Sequence, residues 1–174
     1  QNQFDAFCAI NIVPHGQLYG GKICAGMDRQ HPRDIFDVKH LLASEGFTQK
    51  VKEGFLFRLL SSERSVHDVL FPSRLDQRKA MDNQFTGMTE AAFTYDEFEA
   101  VRETMIQTVQ QSLTDQDKKF ILGVKNAEPD WSIYPFGDYP SILWKQQNLQ
   151  KLKQSNPAKH MELYNALQRE LDGI

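Results

Sequence analysis

Apolar residues recur at intervals of three and four along most of this chain, which is the spacing of one face of an α-helix. Strands would instead alternate apolar and polar residues with a period of two. The clearest apolar stripe comprises Phe98, Val101, Met105, Ile106 and Val109. We therefore predict a mainly α fold, a helical bundle with at most one short strand near the N-terminus.

Capping residues, prolines and glycines predict where the helices begin and end. Pro32 suits the first position of a helix that stops before Gly46, and Thr94 with Glu97 predicts a capping box. Three glycines in the first helix predict close contact with a neighbouring helix. The predicted helices span residues 17–27, 33–45, 49–60, 94–113, 141–154 and 157–171, and one more begins at Thr114.

Three segments depart from this pattern. Residues 61–93 are the least periodic, and we predict one short helix there, at about 75–85. Residues 128–139 are rich in aromatic side chains, so we predict a loop that folds over the core, because exposed rings are costly. The short apolar run 4–13, which Pro14 ends, is the candidate strand.

Composition limits the classes of function. A chain of 174 residues with 40% hydrophobic residues can bury one ordinary core. Its formal charge of −3 creates no global basic field, so nucleic-acid binding would depend on a local patch. No apolar run is long enough to span a bilayer, and we expect a soluble, cytoplasmic protein. Cys8 and Cys24 lie in apolar stretches, which predicts buried free thiols.

The densest polar cluster consists of Lys22 and the segment 28–39. Asp34 and Asp37 are three residues apart on the predicted helix, and Arg33 and Asp37 are four apart, so these side chains can converge. Such a group could orient phosphates and hold a cation. The alternative is a solvated, salt-bridged helix start, where carboxylates favour the positive end of the dipole. Spacing alone leaves both interpretations open.

Other candidate sites have weaker signals. His31 and His40 form neither HxxxH nor HExxH, so we predict no metal-binding residues. Asp115 and Asp117 resemble a DxD pair, but they open a helix, where residues two apart diverge, and we predict a helix cap.

Basic residues accumulate near the C-terminus. Trp144, Asn148 and Lys151 can share one helix face, which would suit a phosphate or an RNA backbone. The alternative is a solvated or packed face. The remaining basic residues of this group are Lys145, Lys153, Lys159 and His160.

Five stretches carry a resemblance to the AbiEii/AbiGii toxin nucleotidyltransferases, and their order and spacing are similar to that family from end to end. The most specific string is KxCAxxxRxxPRDxFD, which begins at Lys22. The stretches are LYGGKICAGMDRQHPRDIFDVKHLL at 18–42, GMT at 87–89, EPDW at 128–131, WKQQNLQKL at 144–152 and NPAKH at 156–160.

The resemblance implies the downstream, helical part of a polymerase-β-like nucleotidyltransferase. Members of the family are thought to bind a nucleoside triphosphate with Mg²⁺ and to transfer a nucleotidyl group, with tRNA ends among the acceptors. A separate antitoxin neutralises them, in phage defence or plasmid maintenance. By motif match, Lys22 would contact the triphosphate and Asp34 would be a catalytic or structural acid. The resemblance further implies that Arg29, Arg33 and Asp37 belong to the nucleotide-binding site.

By the same resemblance, residues 1–60 are the remnant of a nucleotidyltransferase lobe, 61–93 a connection and 94–174 a C-terminal helical region. The family's upstream motif, a GS pair followed after about ten residues by DxD, has no counterpart in this sequence. Since the chain starts at Gln1, we expect it to be a fragment. Since the carboxylates of that motif would hold the metal, we expect this fragment to be inactive alone. A non-catalytic helical module that binds an antitoxin, RNA or another subunit is the second hypothesis. A hydrolase that uses Asp34, Asp37 and His40 is the third.

Overall fold

The structure, a computed structural model, describes residue 10 and residues 12–174. Helices form along most of this range, as the spacing of apolar residues predicts. This part contains no strand, so the mainly α prediction is confirmed. The predicted strand falls largely outside the described residues, as does Cys8. The helices are α1 (His15–Arg29), α2 (Pro32–Ser44), α3 (Gln49–Ser61), α4 (Val66–Leu70), α5 (Arg78–Ala80), α6 (Tyr95–Ser112), α7 (Asp115–Lys125), α8 (Pro140–Ser155) and α9 (Pro157–Asp172).

Glycines bring α1 and α3 into backbone contact. A Cβ atom built on Gly20 would lie 2.2 Å from the backbone nitrogen of Phe55. One built on Gly54 would lie 2.1 Å from the carbonyl oxygen of Gly16. Only a residue without a side chain fits at such a distance, which confirms the predicted close packing of the first helix.

Local capping explains most helix boundaries. Pro32 begins α2 as predicted, and Gly46, with φ of +74°, follows its end. The capping box predicted at Thr94 is only half formed: the Thr94 hydroxyl accepts from the Glu97 amide, but the Glu97 carboxylate pairs with Lys39 at 2.6 Å. A reciprocal box forms instead at the start of α7, between Thr114 and Asp117.

The connection between α3 and α6 contains more helix than predicted. The single turn of α4 was not predicted, because five residues are too few to show a helical period. The predicted 75–85 helix is present as α5, which continues into a π-helical turn, Met81–Phe85. Gln30, which is buried, fastens this segment to the end of α1 by donating to the Ser73 carbonyl and accepting from the Leu75 amide.

One hydrophobic core extends from Ile23 on α1 to Leu171 on α9. The aromatic loop folds over it as predicted: the rings of Trp131 and Tyr134 lie 5.9 and 5.0 Å from the ring of Phe120. No described helix is long and apolar enough to cross a membrane. The division at residues 60 and 93 stays a prediction.

A buried ion pair crosses this core. Lys52 on α3 donates to Asp117 on α7 at 2.6 Å, and both side chains are less than 10% exposed. Asp117 also accepts from the Tyr134 hydroxyl and from the Thr114 amide. The predicted cap at Asp115 and Asp117 is therefore confirmed, and Asp117 additionally joins α3, α7 and the aromatic loop.

Candidate phosphate-binding site

Two ion pairs join α1 to α2 at the predicted cluster. The Lys22 ammonium lies 2.6 Å from the Asp37 carboxylate. The Arg29 guanidinium donates to both oxygens of Asp34, at 2.6 and 2.9 Å. The structure therefore brings together four of the five predicted site residues, although Lys22 and Asp34 belong to separate pairs.

The Arg29 and Asp34 side chains differ in their access to solvent. The Asp34 side chain is 3% exposed, whereas that of Arg29 is 65% exposed. A carboxylate at the start of α2 also lies at the positive end of the helix dipole. Asp34 thus fixes the position of Arg29, whose outer edge stays open to a ligand.

A third cation, Arg58, completes this surface. It lies on α3, and its side chain crosses α1 above Gly21, with its Nε atom 3.6 Å from where a Cβ would stand. Arg58 forms no ion pair with any described residue. We call the depression between these helices the cation recess; its lining includes Leu18, Lys22, Arg29, Asp34, Phe57 and Arg58.

Sequence reasoning missed Arg58. It is separated from Lys22 by 36 positions, and no spacing rule relates residues on two different helices. The glycines of α1 were the available signal, because they predicted a close neighbour without identifying it. The recess therefore depends on a tertiary contact rather than on a linear motif.

Arg33, which belongs to the predicted cluster, and His40, which follows it, both lie elsewhere. The exposed Arg33 guanidinium donates to the Met88 sulfur at 3.4 Å. The His40 ring packs edge-on against Phe36, with 4.5 Å between centroids. The Asp34, Asp37 and His40 side chains therefore do not assemble the hydrolase site considered from the sequence.

The Mg²⁺ ion implied by the resemblance does not fit the described residues. Among residue 10 and residues 12–174, no three His, Cys, Asp or Glu side chains are grouped to hold a metal ion. The carboxylates of Asp34 and Asp37 already bind the guanidinium of Arg29 and the ammonium of Lys22. Mg²⁺ requires several oxygen ligands in octahedral geometry, so we derive no chemical step through it.

Three of the basic residues near the C-terminus, Lys145, Lys153 and His160, have structural roles. Lys145 donates to three carbonyls at and just beyond the end of α3, and burial lowers the pKa of Lys145 to about 8. Lys153 and His160 donate to the carbonyls of Asn126 and Lys125, both at 3.0 Å, at the end of α7. These three residues thus satisfy carbonyls at helix ends. Trp144 and Lys151 of the predicted face stay exposed, and its binding role stays a prediction.

Cys24 lies on α1 and is 8% exposed, which confirms it as a buried free thiol. Burial raises the pKa of this thiol to about 11, although the charge of Arg58 opposes the change.

In a Cys8→Ser variant at pH 8, we expect iodoacetamide to alkylate Cys24 at least about 100-fold more slowly than free cysteine, since the thiolate is the reactive form. Mass spectrometry measures the rate, and denaturation in urea should abolish the difference. Equal rates before and after denaturation would contradict the burial of the thiol.

Comparisons with known proteins give one finding. A family model described as "Nucleotidyl transferase AbiEii toxin, Type IV TA system" matches residues 1–148. The matched range includes the whole cation recess and ends inside α8. Searches of curated proteins and of solved structures give no match.

Proposed function

Because the chain belongs to the AbiEii nucleotidyl transferase toxin family, we propose that the cation recess binds the phosphates of a nucleoside triphosphate. The bound nucleotide is the donor of a nucleotidyl group to an acceptor such as tRNA. One observation carries the proposal: Lys22, Arg29 and Arg58, from α1 and α3, line the same recess. Phosphate oxygens accept charge-assisted hydrogen bonds from such groups.

Each recess residue has a distinct proposed role. Lys22 and Arg58 contact the phosphates, and Arg58 is the more available because it has no ion pair with a described residue. Arg29 presents its exposed edge to the ligand, while Asp34 holds it in place and Asp37 orients Lys22. In a full-length protein that transfers the nucleotide, Asp34 would be the catalytic or structural acid.

We further propose that the 174-residue chain binds the nucleotide without transferring it. Its described residues offer no group of ligands for the metal that transfer requires. In the full toxin–antitoxin system, a cognate antitoxin would neutralise the activity. Phage defence and a cytoplasmic location belong to the same proposal.

Nucleotide binding by recess variants tests the site. We expect Lys22→Ala and Arg58→Ala each to weaken binding of a fluorescent nucleoside triphosphate by roughly 10-fold or more, since a hydrogen bond to a charged group contributes about 1.5–3 kcal/mol. Isothermal titration calorimetry should show the same loss of affinity in each variant. Arg169→Ala is the matched control, because Arg169 is an exposed arginine on α9. If both recess variants bind as tightly as the parent, the site is assigned wrongly.

Transfer is measured separately, by incubating the chain with α-labelled nucleoside triphosphates, Mg²⁺ and total RNA. We expect no label on the RNA, and label that disappears in Lys22→Ala and Asp34→Asn would contradict the proposed inactivity.

The second candidate function is a non-catalytic module for an antitoxin, RNA or another subunit, and the lack of a metal-ligand group among the described residues favours it. A chain that binds RNA or antitoxin but no nucleotide would be such a module.

A further inference from the structure

The anchoring of α8 determines which of its faces is free. The Lys145 ammonium donates to the carbonyls of Leu59, Ser62 and Arg64 at 3.1, 2.9 and 2.9 Å. An ammonium group has three protons, and all three are used. With Ile142 also buried, α8 cannot rotate about its axis without breaking these bonds.

The first turns of α8 present large apolar side chains to solvent. Tyr139, at the N-cap, is 43% exposed, Leu143 one turn later 44%, and Trp144 54%. This strip begins at the cation recess, because the Tyr139 ring lies 4.7 Å from the ring of Phe57, which lines the recess. Tyr139 therefore places one end of this exposed apolar surface beside the proposed phosphate site.

Charge along α8 is all of one sign. The helix contains three lysines and no aspartate or glutamate, in a chain whose formal charge is −3. Lys145 and Lys153 are engaged with carbonyls, whereas Lys151 is exposed and lies two turns after Trp144. The strip therefore has the cationic recess at one end and an exposed lysine at the other.

We propose that this strip of Tyr139, Leu143, Trp144 and Lys151 binds the single-stranded end of an acceptor nucleic acid as it leaves the cation recess. Bases stack on exposed aromatic rings regardless of sequence, and cations follow the phosphates. The proposal rests on the proposed function for the recess as a phosphate site and for the nucleic acid as an acceptor. A protein partner would have no need of the cationic recess at one end of the strip.

The test is fluorescence anisotropy with a labelled single-stranded RNA of 12 nucleotides. Trp144→Ala should weaken binding about 10-fold, within the range reported by alanine substitution of stacking residues. Lys151→Ala should weaken it several-fold and lower the slope of log K against log salt by about 0.7. Met161→Ala and Lys119→Ala are the matched controls, an exposed apolar residue on α9 and an exposed lysine on α7, and should bind like the parent.

Tryptophan fluorescence tests base stacking on Trp144 directly, without a comparison of the affinities of variants. The chain has two tryptophans, so Trp131→Phe leaves Trp144 as the sole tryptophan. Stacked bases should quench its fluorescence as RNA saturates the chain. Unquenched emission at saturation, parental affinity of Trp144→Ala, or no binding of the RNA would each overturn the proposal.

Two further outcomes distinguish RNA binding by the strip from protein docking and from nucleotide binding by the recess. If the cognate antitoxin loses affinity for Trp144→Ala while RNA affinity is unchanged, the strip is a protein-docking surface and the proposal is wrong. If the parent binds no nucleoside triphosphate but binds RNA through Trp144, the proposed function fails and the RNA strip is supported.

Discussion

Gly54→Ala is expected to lower the free energy of unfolding by at least about 3 kcal/mol, at the upper end of the cost of overpacking a core. The added Cβ would stand 2.1 Å from the Gly16 carbonyl oxygen and 2.6 Å from its carbon. Both are backbone atoms, so α1 and α3 must separate to admit the methyl group. The loss is a large fraction of the roughly 5–15 kcal/mol that stabilises a typical domain.

Gly21→Ala is the control for Gly54→Ala. Its Cβ would meet only the Arg58 side chain, at an ordinary contact distance of 3.6 Å. Alanine also favours a helix by about 1 kcal/mol over glycine, so this variant should be as stable as the parent or more so. Urea denaturation followed by circular dichroism measures both. A Gly54→Ala variant within about 1 kcal/mol of the parent would mean that the two helices are not in backbone contact.

The second large effect concerns the buried ion pair. Lys52→Met should lower the free energy of unfolding by about 3–5 kcal/mol, because it leaves the Asp117 carboxylate buried without its cation. Lys39→Met is the matched control: the pair of Lys39 with Glu97 is about one-third exposed, and its loss should cost about 1 kcal/mol or less. Equal losses in the two variants would contradict the burial of the Lys52 pair.

The same pair predicts a dependence on pH. Burial alone would raise the pKa of Asp117, but hydrogen bonds from Lys52, Tyr134 and Thr114 outweigh it and hold this pKa below the ordinary value of an aspartate. The folded state thus binds its proton less readily than the unfolded chain. The stabilisation is present above about pH 4 and is lost as the pH falls through the folded pKa. In Lys52→Met the folded pKa should rise, so that unfolding by acid begins at a higher pH.

The parts of the fold that were predicted correctly depend on local signals. Pro32, Gly46 and Thr114 act on backbone groups within a few residues of themselves, so the sequence contains both partners of each interaction. Glu97 shows where this fails: its cap partner is local, but Lys39 of α2 competes for the carboxylate. The Thr94 half of the capping box was therefore predicted correctly, and the Glu97 half was not, because its competing partner Lys39 lies on another helix.

The candidate site was predicted in part for the same reason. Lys22, Arg29, Asp34 and Asp37 lie within 16 positions, on two consecutive helices, and the structure pairs them. Arg58 was not predicted, because only the packing of α3 on α1 brings it to the recess. The structural role of Lys145 was not predicted, because its acceptors are carbonyls at and just beyond the end of α3, and no sequence pattern marks such an acceptor.

The C-terminal helix α9 limits how far the protein can be shortened. The family match stops at residue 148, in the middle of α8, yet Leu167 and Leu171 on α9 are fully buried in the common core. His160 also closes the end of α7. A polypeptide trimmed to the recognised segment would uncover apolar surface and leave helix carbonyls without donors. Residues 149–174 thus stabilise the helices of the matched segment, and shortened versions should aggregate.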